Sequence, residues 1–149
     1  MGNFLETKIC RQGRILAIYV QQGEDLLGSI KKACTEHKIK SGIVTGIGAV
    51  GKAELIGGKS TQKIDAFQKA YAEPLEICPL VGNITTLNGE TYVHVHASLG
   101  KTEHGQLGGH VVSAEVSLAG EIFIIEIVDE IKRKRNDKIN MNVLDLEKK

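Results

Sequence analysis

Three histidines carry the most specific chemistry in this sequence. His94 and His96 stand two apart in Tyr-Val-His-Val-His-Ala, and His110 follows Gly108-Gly109. Residues two apart on a β-strand point to one side, about 6.7 Å from each other by strand rise. Two imidazoles so placed can swing onto one metal ion at a Zn–N distance of about 2.0–2.1 Å. His110 offers a third nitrogen if the chain returns antiparallel, and Gly108-Gly109 permits a tight or left-handed approach just before it. Three histidines with an open position form the pattern of a reactive or exchangeable zinc site rather than a closed structural one. Such spacing also arises by accident, so a plain solvated strand face stays open as the alternative. His104, in the intervening loop, is a candidate fourth ligand or a solvated loop residue.

The elements that must position these rings begin with a turn. Asn88-Gly89 is the strongest short hairpin signal a sequence offers. A two-residue loop there sets Leu87 opposite Glu90, Thr85 opposite Tyr92, Asn83 opposite His94 and Val81 opposite His96. Alternation then writes out two faces. Cys78, Leu80 and Ile84 with Val93, Val95, Ala97 and Leu99 form a core face. Val81, Asn83 and Thr85 with Tyr92, His94 and His96 form a polar one. Cys78 falls on the core face and is not expected as a ligand unless Pro79 introduces a bulge.

Around the hairpin, residues 13–20 read as a strand, rich in β-branched side chains. Leu26, Leu27, Ile30, Ala33 and Cys34 recur at helical spacing, which predicts an amphipathic helix from about Asp25 to about His37. Strands are predicted over 43–48, 53–56, 75–87, 91–99, 110–118 and 121–128, with a weakly patterned strand plus loop across 57–72. The run Ile122-Phe123-Ile124-Ile125 predicts a strand buried on both faces. The polar tail from Lys132 offers Val143, Leu144 and Leu146 for docking. Its basic run, 132–135, reads as a solvated flank, with phosphate contact as the other option. No internal repeat or linker divides the 149 residues, so one α+β domain is expected, an antiparallel-rich twisted sheet with one main helix.

Composition narrows the function. Hydrophobic residues at 42% and charged residues at 25% exclude disorder for most of the length. No apolar run approaches the ~18 residues of a membrane helix. A net charge of +1 excludes a globally basic nucleic-acid binder, and 4% aromatics without Trp argue against a base-stacking platform. Three cysteines without a C-x-x-C spacing, and an N-terminus without an apolar leader, predict reduced thiols in the cytoplasm. Gly2 is not expected to be myristoylated, because Glu6 stands where Ser or Thr is wanted.

Two nucleotide motifs fail on context. Gly46-Ile47-Gly48-Ala49-Val50-Gly51 matches G-x-G-x-x-G, with Asp65 about twenty residues on. The fingerprint needs a helix to open there, and Lys-Ala-Glu-Leu-Ile-Gly-Gly is too short and broken to supply one. Gly58-Lys59-Ser60 resembles the end of a P-loop, but Ala53 occupies the first glycine position. No bound nucleotide cofactor is expected.

Residues 13–55 (GRILAIYVQQGEDLLGSIKKACTEHKIKSGIVTGIGAVGKAEL) resemble the first half of the plants-and-prokaryotes-conserved (PPC) domain, and residues 73–127 its second half. The tail RNDKINMNVLDL is similar to the end of prokaryotic members. The resemblance runs from about Gly13 to Leu146. Its most specific elements are GED before the helix, SGIVTGIGAV, the L-x-GNI segment and H-V-H…GGHV. It implies an antiparallel-rich fold assembled as a homotrimer, with His94, His96 and His110 holding a metal, zinc above others. It also implies a DNA-associated or regulatory role. The AT-hook that plant members couple to the domain is missing. Its Arg-Gly-Arg-Pro-like core has as nearest segment Arg11-Gln12-Gly13-Arg14, without the proline.

Two other functions compete. One is a metal-dependent hydrolase using zinc-bound water. It wants a general base, for which Glu90, Glu76 and Glu24 are the candidates, and no H-E-x-x-H signature is present. The other is a trimeric interaction module with a structural metal. DNA is a possible partner, and a membrane is not.

Overall fold

Alternating apolar residues dictate a protein built almost wholly of strands. The computed structural model describes residues 5–59, 62 and 66–146; Gly2, Ser60 and Asp65 lie outside the described residues. In chain order the elements are β1 (Gln12–Gln21), α1 (Leu26–Glu36), β2 (Gly42–Gly58), β3 (Ala66–Tyr71), β4 (Leu75–Leu87), β5 (Glu90–Lys101), β6 (Gln106–Ile127), β7 (Lys132–Asn136) and β8 (Met141–Asp145). The sheet runs β3-β2-β6-β5-β4-β7-β8, with β1 against β6 and a further pairing of β2 with β4. Hence β2, β4, β5 and β6 hydrogen-bond in a closed ring. All pairings are antiparallel except β4 with β7. This is the expected α+β, antiparallel-rich architecture.

The core lies on the inner face of that ring. Val44, Val50, Leu80, Ile84, Val95, Ile122 and Ile124 are almost fully buried there. Each such side chain gives about 1.5–3 kcal/mol of transfer free energy relative to exposure. The helix covers this core. Asp25 caps its N-terminus, accepting from the Leu27 amide at 3.2 Å. Its buried stripe is Leu26, Ile30 and Cys34, matching the predicted spacing. His37 is the C-cap, exposed, with its carbonyl accepting from Arg14 Nη2 at 2.9 Å.

Four expectations about the strands are corrected. The strands predicted over 43–48 and 53–56 are one, β2, and those over 110–118 and 121–128 are one, β6. Both are irregular rather than broken: register shifts at Gly48/Val50, Val50/Lys52 and Glu54/Leu55 absorb the bends between them. The glycines of the nucleotide-like motif serve this contact, since a Cβ on Gly48 would come within 2.4 Å of the Ala119 carbonyl oxygen. Ile122–Ile125 is not buried on both faces. Ile122 and Ile124 point inward, while Phe123 is 47% exposed on the outer face. The basic run is not a solvated flank throughout. It forms β7, where alternation exposes Lys132 and Lys134 and buries Arg133 to 8% exposure.

Candidate metal centre

The Asn88-Gly89 turn sets the site. Both residues take positive φ, 52° and 84°, as a type I′ hairpin loop requires. The predicted register follows, with Asn83 opposite His94 and Val81 opposite His96. On the other edge of β5, His96 pairs directly with His110 of β6. The approach of His110 depends on Gly109, whose φ is 157° and where a Cβ would meet the Ile56 carbonyl oxygen at 2.6 Å. Cross-strand partners share a face, so all three rings stand on the outer face of the ring of strands.

The three rings converge. Ring centroids are 5.3 Å apart for His94 and His96, 5.0 Å for His94 and His110, and 5.4 Å for His96 and His110. Three imidazoles bound tetrahedrally at about 2.05 Å would hold their centroids about 5.2 Å apart. One nitrogen from each ring lies within 4.8 Å of the others, the sole such donor cluster among the described residues. The donor set therefore fits a transition-metal ion with little movement. Each neutral imidazole brings a lone pair and no charge.

Arg133 closes the cluster from behind and was not legible as a site residue. Its Nε donates to Thr85 Oγ1 at 2.9 Å, its Nη1 to the Asn142 carbonyl at 2.8 Å and its Nη2 to Asn83 Oδ1 at 2.7 Å. Nη2 also lies 3.0 Å from His94 Nδ1, and the guanidinium carbon sits 4.9 Å from the Tyr92 ring centre. All these partners are neutral. A guanidinium only donates, so Nδ1 of His94 accepts, and the neutral ring then carries its hydrogen on Nε2. A ligating nitrogen must present a free lone pair. Uptake of a metal by a neutral His94 ring, through either nitrogen, thus ends the Arg133–Nδ1 bond, since the ring's one hydrogen must then sit on the other nitrogen.

Burial pushes the His94 imidazole down to about 4, and the charges of Arg133, His110 and His96 add to that depression. His110 is lowered too, by burial first and then by His96 and Arg133. Rings held neutral near pH 7 are in the state a metal needs.

The other candidates stand apart. His104 is exposed in the β5–β6 turn with φ 62° and does not join the cluster. Cys78 is exposed rather than on the core face, because the register shifts between Ile77 and Leu80 around Pro79. Ile77 takes the buried place instead, and Cys78 Sγ lies toward Gly100, away from the rings. Glu90 pairs with Lys31 at 3.3 Å, and neither it nor Glu76 or Glu24 reaches the histidines.

Fold and donor cluster together define a class. Residues 7–128 match the family described as the Plants and Prokaryotes Conserved (PCC) domain. The chain belongs to that family. A plant- and prokaryote-conserved protein of Pyrococcus horikoshii is 31% identical, covering 97% of this chain and 99% of that one at a TM-score of 0.86. A metal-containing protein of Archaeoglobus fulgidus is 28% identical, covering 93% and 98% at a TM-score of 0.86. A candidate DNA-binding protein of Bacteroides thetaiotaomicron is 28% identical, covering 97% and 98% at a TM-score of 0.85. No curated protein matches the chain. Among the described residues, no helix is long and apolar enough to cross a membrane.

Proposed function

We propose that this chain is a metal-binding PCC protein that holds zinc on His94, His96 and His110 and serves a regulatory role. The convergence of three rings at 5.0–5.4 Å is the observation that carries this reading. The Archaeoglobus relative, a metal-containing protein, supports it. A zinc ion held there supplies a Lewis acid with a coordination position left for an exchangeable ligand. The chain's own residues do the rest. Gly109 brings His110 close, Arg133 holds the His94 ring before a metal binds, and burial favours the neutral form of His94 and His110. Metal analysis of the purified chain tests this directly. One zinc per chain at neutral pH, released on acidification, is expected, and protein without metal contradicts it.

Assembly as a homotrimer is part of the proposal. Ile15, Tyr19, Ile43, Ile47, Val81 and Phe123 are 47–66% exposed. They share the outer face with the histidines, in rows such as Ala17, Phe123, Thr45, Val81 and His96. Two further copies of the chain are the occupants that would remove this apolar surface from water. Sedimentation should return three times the 16.2 kDa chain mass. The three free cysteines suit a reducing compartment such as the cytoplasm.

DNA association is the second reading, favoured by the Bacteroides relative. It predicts DNA binding that falls steeply with salt. A metal-dependent hydrolase has less support, because no described carboxylate joins the three histidines as a general base.

A further inference from the structure

We infer that the cavity beside the three histidines is a binding site for a small carboxylate with an apolar body. This rests on the metal reading above and assigns the ligand class of the same site. The cavity measures about 360 Å³, at the small end of ligand pockets. Besides the rings, its lining includes Ile56, Ala66 and Met141 as apolar surface and Arg135, Asn140 and Asn142 as polar surface.

Charge decides what fits. None of the described residues lining the cavity is Asp or Glu. Three neutral imidazoles leave the double charge of a divalent ion uncancelled. Arg133 stands behind His94 as a second buried cation with neutral partners only. Alternation along β7 puts Arg135 on the same face as Arg133, at the cavity rim. Its Nε binds Asp137 at 3.1 Å and its Nη2 reaches Asn140, while its Nη1 has no hydrogen-bond partner among the described residues. One exposed carboxylate against a metal ion and two guanidiniums leaves a positive site, which an anion completes. The contrast with the second large cavity is direct. That one, about 490 Å³, is lined by Asp25, Glu54 and Glu115 against Lys52. The apolar lining of the histidine cavity selects further, since a bare inorganic anion would leave Ile56 and Met141 facing water.

The test loads the full-length chain with cobalt(II). It is titrated with 3-methylbutanoate, its uncharged amide and inorganic phosphate, following the visible cobalt band and the heat of binding. The acid should perturb the band and bind at least tenfold more tightly than either alternative. Arg135→Gln should still take one cobalt per chain yet bind the acid at least tenfold more weakly. Equal binding of acid and amide overturns the charge argument. Phosphate binding more tightly than the acid overturns the apolar-body argument. A chain that loads cobalt but answers to none of the three contradicts this inference alone. A chain that takes up no cobalt contradicts the metal reading, and this inference falls with it.

Discussion

The two faces of the β4–β5 hairpin share a backbone and differ in everything else. Leu80, Ile84 and Val95 on the inner face are at most 1% exposed and belong to the apolar core. On the outer face, alternate residues of the same strands present Asn83, Thr85, His94 and His96, with Arg133 of β7 laid against them. Two-residue periodicity thus separates stability from chemistry without a separate domain for each. The outer layer is costly only if left unpaired. It is not: no buried side-chain nitrogen or oxygen among the described residues lacks a partner.

That separation can be broken from either face. Leu80→Ala should have the largest effect, lowering the unfolding free energy by about 2–5 kcal/mol in a urea titration. The folded fraction should keep its full metal content. Loss of metal from folded Leu80→Ala protein would show that the faces are coupled.

His94→Ala should do the reverse. Removing a hydrogen-bond partner of a metal ligand costs about 10–100-fold in affinity. Losing a ligand itself should therefore weaken metal binding by at least about 100-fold in a chelator competition. Stability without metal should change by less than in Leu80→Ala. Undiminished binding would remove His94 from the ligand set.

Arg133→Met comes next. It leaves Thr85 and Asn83 without their donor, at a cost of about 1–3 kcal/mol. Faster amide hydrogen exchange confined to β7 and β8 is the expected signature. Removing the nearby positive charge should also raise the His94 titration seen by NMR.

The smallest effect is pH-dependent. His94 in the metal-free fold titrates near 4, below the ~6.5 of a free imidazole. Between those values the unfolded chain binds more protons than the folded one. The stability contribution is therefore complete above about pH 6.5 and is lost as pH falls toward 4. His110, depressed by the same burial, acts in the same direction. Denaturant midpoints of the metal-free protein that do not fall across this window would contradict the burial of these rings.

Much of this arrangement was legible before any coordinates. The Asn88-Gly89 loop fixes a register, and the register alone places His94 and His96 on one face with Leu80 and Ile84 on the other. The helix was readable because its apolar spacing and its acidic cap agree. What escaped was set by distant partners. Glycines in β2 read as breaks because their cost in a strand is local, whereas the close approach of Ala119 that uses them is not. The double burial of 122–125 failed for a related reason. Apolarity alone cannot say which face a neighbour will cover, and Phe123 faces outward in the chain as described. Arg133 was hidden in a basic run whose composition signals solvent. The available clue was its period: residues two apart in 132–135 put the two lysines on one face of the strand and the two arginines on the other, and Arg133 is the one that is buried. Recognising it requires seeing that the residues after Asn140 return as β8.

The account stands on three imidazole nitrogens sharing one ion. X-ray absorption at the zinc edge of the zinc-loaded chain measures this directly. It should return three imidazole nitrogens per zinc at about 2.0–2.1 Å and no sulfur shell at about 2.3 Å. A sulfur shell, or zinc bound through fewer than three imidazoles, would contradict it.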